Sequence, residues 1–343
     1  MNLKHMNDLT PEDALRLNGL LAGEVLAIRI DEGARTLYGL TPKGEARVPL
    51  NPVGRADRYF LRVRELLGGH ALGSPGGYPV HLRHWMRMGQ SGSKNLEALL
   101  KLGDPDAVLA VAFAPALTDE LARRAWWACP TVEAARVMIA CPAVREGEMG
   151  KLLADHLIEH LPFEEDPEAA MNTVRAVLAA GLLDFAMREA LWLKGKRRPH
   201  YLVGFLECLP DDLPEDSPRE VPAGLAGQDA PALRLLTRCY SGSGQSYLKA
   251  VELALEKPPV HAMAYLLLDL LGEYFAAGKD ALAELPDAPA EAAALAALAG
   301  LSNADAEPIL KRTTAVGPLM RRHLEPLFAP IITNLRILRG LSK

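Results

Sequence analysis

Aromatic residues are scarce in this 343-residue chain, at 6% against a hydrophobic share of 49%. Alanine and leucine therefore carry the apolar content, which favours helices over an all-β build. Cysteine is scarcer still. Cys129, Cys141, Cys208 and Cys239 are widely spaced and include no Cys-x-x-Cys pair. That usage argues against a disulfide framework or an Fe–S or zinc site and suits reduced thiols in the cytoplasm. Long apolar runs are missing too. The longest, from Ala107 to Leu117, is broken by Pro115 and is too short to cross a bilayer. The opening residues, Met1 to Asp8, lack the apolar run of a signal peptide. The expectation is a cytoplasmic protein with no membrane insertion. The formal net charge of -5 is too mild for an acidic tail or for general nucleic-acid affinity, so anion binding would need local basic clusters.

What is present is a change of pattern along the chain. Thr10-Pro11-Glu12-Asp13 is a helix start, with a hydroxyl cap, proline in the first turn and two acids at the positive dipole end. Leu15, Leu17, Leu20 and Leu21 continue it to near Gly23. From Val25 the period becomes two, and three short strands follow: one to Ile30, one over Thr36–Leu40 and one over Ala46–Leu50. A helix over Arg55–Leu67 then ends at Gly68-Gly69. Beyond this point prolines recur at Pro105, Pro130, Pro142, Pro162 and Pro167, and the pieces between them carry helical spacing.

The expected fold is mainly α. A small N-terminal α/β part with an antiparallel β-meander leads into a helical array, either solenoid-like or irregular. Four segments are expected: residues 1–77 as a small α+β domain, 78–208 as a helical domain, 209–230 as an acidic proline-rich linker and 231–343 as a C-terminal helical domain. In the last part, helices are expected over Gln245–Glu256, His261–Ala276, Ala288–Ala299 and Val316–Arg339.

Four features invite chemistry. His156-Leu157-Ile158-Glu159-His160 fits H-x-x-E-H, in which two histidines on one helix face share zinc, but no third ligand is recognisable. The simpler reading is two histidines near a helix C-terminus, where imidazolium suits the dipole. Cys239 to Ser246, CYSGSGQS, precedes a helix as a phosphate loop would but lacks its lysine, and is better read as a helix cap with a turn. Cys129 and Cys141 each precede a proline at a helix end, where a partly exposed thiolate carries a persulfide in some proteins; lone cysteines are more often small buried hydrophobes. The stretch LGSPGGYPVHLRHW joins a glycine-rich turn, Gly73 to Gly77, to a segment read as a helix over a strand. It is described as a domain junction with Trp85 mostly in the core.

Three basic clusters remain. They are His81, Arg83 and Arg87; Lys196, Arg197 and Arg198; and Arg312 with Arg321 and Arg322. On one face they could bind RNA, DNA or an acidic protein surface; scattered, they are ordinary solvated faces, the commoner outcome. These nine residues are the candidate partner-binding set. No catalytic, cofactor or metal residues are assigned, and no cofactor is expected.

The segments LTPEDALRLNGLLA, LYGLTPKGEARVPLNP, LGSPGGYPVHLRHWMRMGQ, LTDELARRAWWACP, LPDDLP and RTTAVGPLMRRHLEP, in this order, resemble the sulfur reduction protein family DsrS, which accompanies the dissimilatory sulfite reductase system of sulfur-oxidising bacteria. The resemblance runs from near residue 9 to near residue 340. It implies an accessory or regulatory protein of sulfur oxidation and carries over no catalytic residue. The leading expectation is therefore a non-catalytic protein with partners in the sulfur-oxidation machinery. Two alternatives stay open: a sulfur-transfer protein using a cysteine persulfide, and an RNA-binding factor with Trp85 as a stacking platform.

Overall fold

A computed structural model of the chain describes residues 9–72, 93–221 and 230–341. Its architecture is mainly helical, with one small antiparallel sheet near the N-terminus followed by helices. The chain divides into two compact units, Met1–Glu159 and His160–Lys343.

In the first unit, α1 (Pro11–Leu21) begins where its cap dictates, the Asp13 N–H donating to Thr10 Oγ1 at 3.1 Å. Strands β1 (Ala27–Asp31), β2 (Thr36–Thr41) and β3 (Gly44–Pro49) form the meander in sequence order, every pairing antiparallel. Gly44, at φ 116°, closes the tight β2–β3 turn with a backbone angle that only glycine adopts readily. Ile28, Leu37 and Val48 lie on the inner face of the sheet. They pack with Leu17 and Leu21 of α1 and with Tyr59, Val63 and Leu67 of α2 (Ala56–Leu72). Gly39 leaves room for Leu20, whose side chain would sit 3.1 Å from an added Cβ.

Two features were not legible in the sequence. The helix expected to stop at Gly68-Gly69 runs on to Leu72, because neither glycine takes a positive φ. Two interior glycines cost roughly 1 kcal/mol each relative to alanine, and burial of Val63 and Leu67 offsets that. The second feature is Asp13, whose side chain is wholly buried. Its carboxylate accepts from Tyr59 Oη at 2.7 Å and from the Asn51 backbone and amide nitrogens at 3.0 Å each, tying α1, the end of the sheet and α2 together.

The remaining helices of this unit are α3 (Ser93–Leu99), α4 (Pro105–Ala112), α5 (Asp119–Ala128), α6 (Val132–Ile139), the single turn α7 (Pro142–Arg145) and α8 (Glu148–His160). Asp104, Thr118 and Thr131 cap α4, α5 and α6 through side-chain oxygens. The first N–H groups of α8 are satisfied from a distance: Glu148 and Met149 donate to Asp119 at 3.1 and 3.0 Å. Gly147 permits this approach, since a Cβ there would fall 2.3 Å from the Asp119 carboxyl.

The second unit is built from α9 (Pro167–Ala180), α10 (Phe185–Gly195), α11 (Leu202–Cys208), α12 (Pro231–Tyr240), α13 (Gly242–Glu256), α14 (His261–Tyr274), α15 (Ala281–Glu284), α16 (Pro289–Leu298), α17 (Asn303–Leu310) and α18 (Gly317–Leu338). The four C-terminal helices read from the sequence thus appear with ends within a few residues of those expected. Between α11 and α12, residues 209–221 of the acidic proline-spaced segment have no regular structure but are fastened at several points; residues 222–229 lie outside the described residues. Asp211 accepts a two-pronged contact from Arg238 at 2.5 and 2.8 Å; Asp216 pairs with Lys249 at 2.7 Å. Arg219 donates to the carbonyls of Ile337 and Leu338 at 3.1 and 2.7 Å, capping the C-terminal end of α18. This segment is a strap held to α12, α13 and α18.

Candidate functional site

Helix α10 buries only two of its residues. Asp184 caps it by accepting from the Met187 N–H at 2.7 Å. Its inner side turns Leu191 and Gly195 into the core. A Cβ on Gly195 would meet Leu202 at 2.4 Å, so that glycine sets how closely α10 approaches α11. Its outer side leaves Phe185 73% and Leu193 52% exposed. These two side chains stand eight residues, about two turns, apart along the helix.

Two grooves of about 360 and 490 Å³ run beside this helix. Phe185, Arg188 and Glu189 wall the first; Glu189, Trp192, Leu193 and Lys196 wall the second. The opposite wall is the strap, with Pro214 and Glu215 lining both. The shared residues make the grooves two halves of one trough, about 16 Å long for the eleven residue steps from Phe185 to Lys196. Apolar groups line it: Phe205 and Leu213 in the first half, Leu202 and Leu253 in the second. Trp192 stands edge-on to Phe205 at 5.2 Å, which fixes the aromatic wall.

The strap is positioned by short polar contacts. Ser246 Oγ donates to the Pro214 carbonyl, and the Leu213 N–H donates to Ser243 Oγ at 3.1 Å. Gly242 lies directly beneath, where an added Cβ would come within 3.0 Å of the Asp216 carbonyl and 3.1 Å of Glu215 Cβ. Charge around the trough is mixed but ordered. Asp211, Asp212 and Asp216 are neutralised by Arg238, Arg188 and Lys249. The Lys249 contact is the main reason the Asp216 carboxyl is held below its ordinary pKa. Glu189 and Glu215 take part in no ion pair among the described residues.

No protein-family model, no curated protein and no solved structure matches this chain.

The basic clusters fall in separate places. His81, Arg83 and Arg87, with the whole stretch from Gly73 to Arg87, lie outside the described residues. Lys196 lines the trough, Arg197 is exposed, and Arg198 donates to Tyr201 Oη at 2.8 Å. The neighbouring His200 is pushed down to about 4 by burial and by the charge of Arg198. Arg321 and Arg322 line a different groove, of about 480 Å³, between α13 and α18, together with Glu256, Glu325 and Arg336. Arg312 is exposed beyond α17 and is not part of that lining.

The other sequence candidates resolve into packing. His156 lies edge-on against Trp126 at 4.6 Å on α8. Among the described residues, no group of three His, Cys, Asp or Glu side chains is placed to hold a metal ion. Ser241 caps α13 by accepting from the Gly244 N–H at 3.0 Å, and a Cβ on Gly244 would fall 2.0 Å from the Arg238 carbonyl. Burial raises the Cys129 thiol above its ordinary value and pushes Cys208 up to about 11 and Cys239 to about 12. These three are therefore thiols, not thiolates, at neutral pH. Cys141 points its Sγ at the Leu117 carbonyl, 3.5 Å away. No helix of the described residues is long and apolar enough to cross a membrane.

Sequence reasoning missed the trough. Phe185, Trp192 and Leu193 were not singled out, and nothing in their spacing says that they are left uncovered.

Proposed function

We propose that this protein is a cytoplasmic accessory protein of bacterial sulfur oxidation that acts by holding a partner protein along α10, and not by catalysis. The observation that carries the binding role is the trough: an aromatic-walled groove flanked by two exposed apolar side chains and bounded by a strap that is already fixed. A pre-set groove loses little entropy on binding, and large aromatic side chains are the usual anchors of protein interfaces. The sulfur-oxidation setting rests on the six segments that resemble the DsrS family.

Affinity capture from a sulfur-oxidising host tests this reading. The wild-type protein should retain a partner that the double variant Phe185→Asp/Leu193→Asp loses, while both proteins melt at the same temperature. Retention of the same proteins by both would contradict it.

A second reading, RNA binding, is favoured by Arg321 and Arg322 beside the α13–α18 groove. Glu256 and Glu325 share that groove and offset the attraction for phosphates. The persulfide alternative asks for a thiolate, and burial disfavours that form at Cys129, Cys208 and Cys239.

A further inference from the structure

The uncompensated charge in the trough selects what enters it. We infer that the trough takes an amphipathic segment of a partner protein in which a lysine or arginine lies between two apolar side chains. This inference rests on the docking role proposed above and specifies the chemistry of the occupant.

Glu189 on α10 and Glu215 on the strap are the acidic residues common to both halves of the trough, so they mark its waist from opposite walls. Every other aspartate lining it is already matched to a cation: Asp211 to Arg238, Asp212 to Arg188 and Asp216 to Lys249. Glu189 and Glu215 are the acidic lining residues left, among the described residues, with no ion pair; the one unpaired cation of the lining, Lys196, sits at the far end of the second half. Both are exposed. Two like charges facing one groove repel each other, and an arriving cation relieves that repulsion as well as pairing with them.

On either side of the waist the trough turns apolar. Phe185 lies toward one end and Leu193 toward the other, and the edge-on Trp192–Phe205 pair joins the two halves. The length of about 16 Å is three helical turns. A partner helix with apolar residues one turn before and one turn after a basic residue would therefore meet an apolar half, the carboxylate pair and the second apolar half in register.

The energetic division of labour follows from magnitudes. An exposed ion pair contributes little, whereas fully burying a leucine-sized side chain contributes clearly more. The apolar anchors supply most of the affinity and the carboxylates supply the choice of partner. Because Ser243, Ser246 and Gly242 fix the strap, Glu215 waits in place before the partner arrives.

The test uses two fluorescent synthetic helical peptides, both with leucines one turn before and one turn after a central position that is lysine in one and glutamate in the other. Anisotropy titration of the full chain should show the lysine peptide binding at least about tenfold more tightly, a gap of about 1.4 kcal/mol. The double variant Glu189→Lys/Glu215→Lys should reverse the preference with its thermal midpoint unchanged. Equal binding of the two peptides, binding of neither, or a preference that survives the charge reversal would overturn the inference. So would a concentration-dependent dimer abolished by Phe185→Asp/Leu193→Asp, which would assign the trough to a second copy of the chain. In the capture assay the two ideas separate. A partner lost with Phe185→Asp/Leu193→Asp but kept with Glu189→Lys/Glu215→Lys leaves the docking role standing and removes the cationic occupant. A partner kept by both variants removes both.

Discussion

Asp13 shows how one buried carboxylate can hold an α/β layer together. Burial alone would raise its pKa, but hydrogen bonds from Tyr59 and from the Asn51 backbone and side chain outweigh that and hold it below its ordinary 3.8. The unfolded chain therefore takes up the proton first as pH falls, and the stabilisation is present above 3.8 and lost as pH drops through the lower folded value. His200 works in another window. Its folded value of about 4 lies below the ordinary 6.5, so its contribution is complete above 6.5 and erodes between 6.5 and about 4. Asp13→Ala strands the Tyr59 hydroxyl and the Asn51 donors, at an expected cost on the order of 3 kcal/mol. Urea unfolding across a pH series checks both points: Asp13→Ala should flatten the limb below pH 3.8 and His200→Phe the limb between 6.5 and 4. An Asp13→Ala protein as stable as wild type would refute the assignment.

At the scale of elements, proline breaks and apolar spacing made many helices readable, and local capping chemistry explains where they start. Thr10, Thr118, Thr131 and Asp166 each start a helix through a side-chain acceptor, and prolines mark first turns at Pro11, Pro105 and Pro167. The meander was legible because its period-two alternation puts Ile28, Leu37 and Val48 on one face. What stayed hidden depends on residues far apart in the chain. Gly68-Gly69 resembles a stop, yet tertiary burial carries α2 through it; Asp119 resembles a first-turn acid of α5, yet it also caps α8. That double use predicts a coupling. Asp119→Ala should cost about 1 kcal/mol by removing a helix cap. Gly147→Ala should cost at least as much by displacing the same carboxylate. Because the clash vanishes once Asp119 is gone, the double variant should be less destabilised than the sum, by more than about 0.5 kcal/mol. Additive losses in a urea double-mutant cycle would show that the cap and the glycine act independently.

At the scale of the whole molecule, the proline-spaced acidic segment is the part whose meaning changed most. Its composition suggests a linker, but Arg219, Asp211 and Asp216 pin it to three helices, and it becomes the far wall of the trough. Neither wall of that site is conspicuous in sequence, since an exposed stripe and a covered one have the same spacing. The basic clusters were conspicuous, but Lys196 lines one groove and Arg321 and Arg322 another. The proposed function puts a partner protein between α10 and the strap. Hydrogen exchange measured with and without the captured partner tests it most directly. Docking in the trough predicts slowed exchange at the amides of Phe185–Lys196 and Leu213–Asp216. Slowed exchange elsewhere, with both walls of the trough unchanged, would contradict the account.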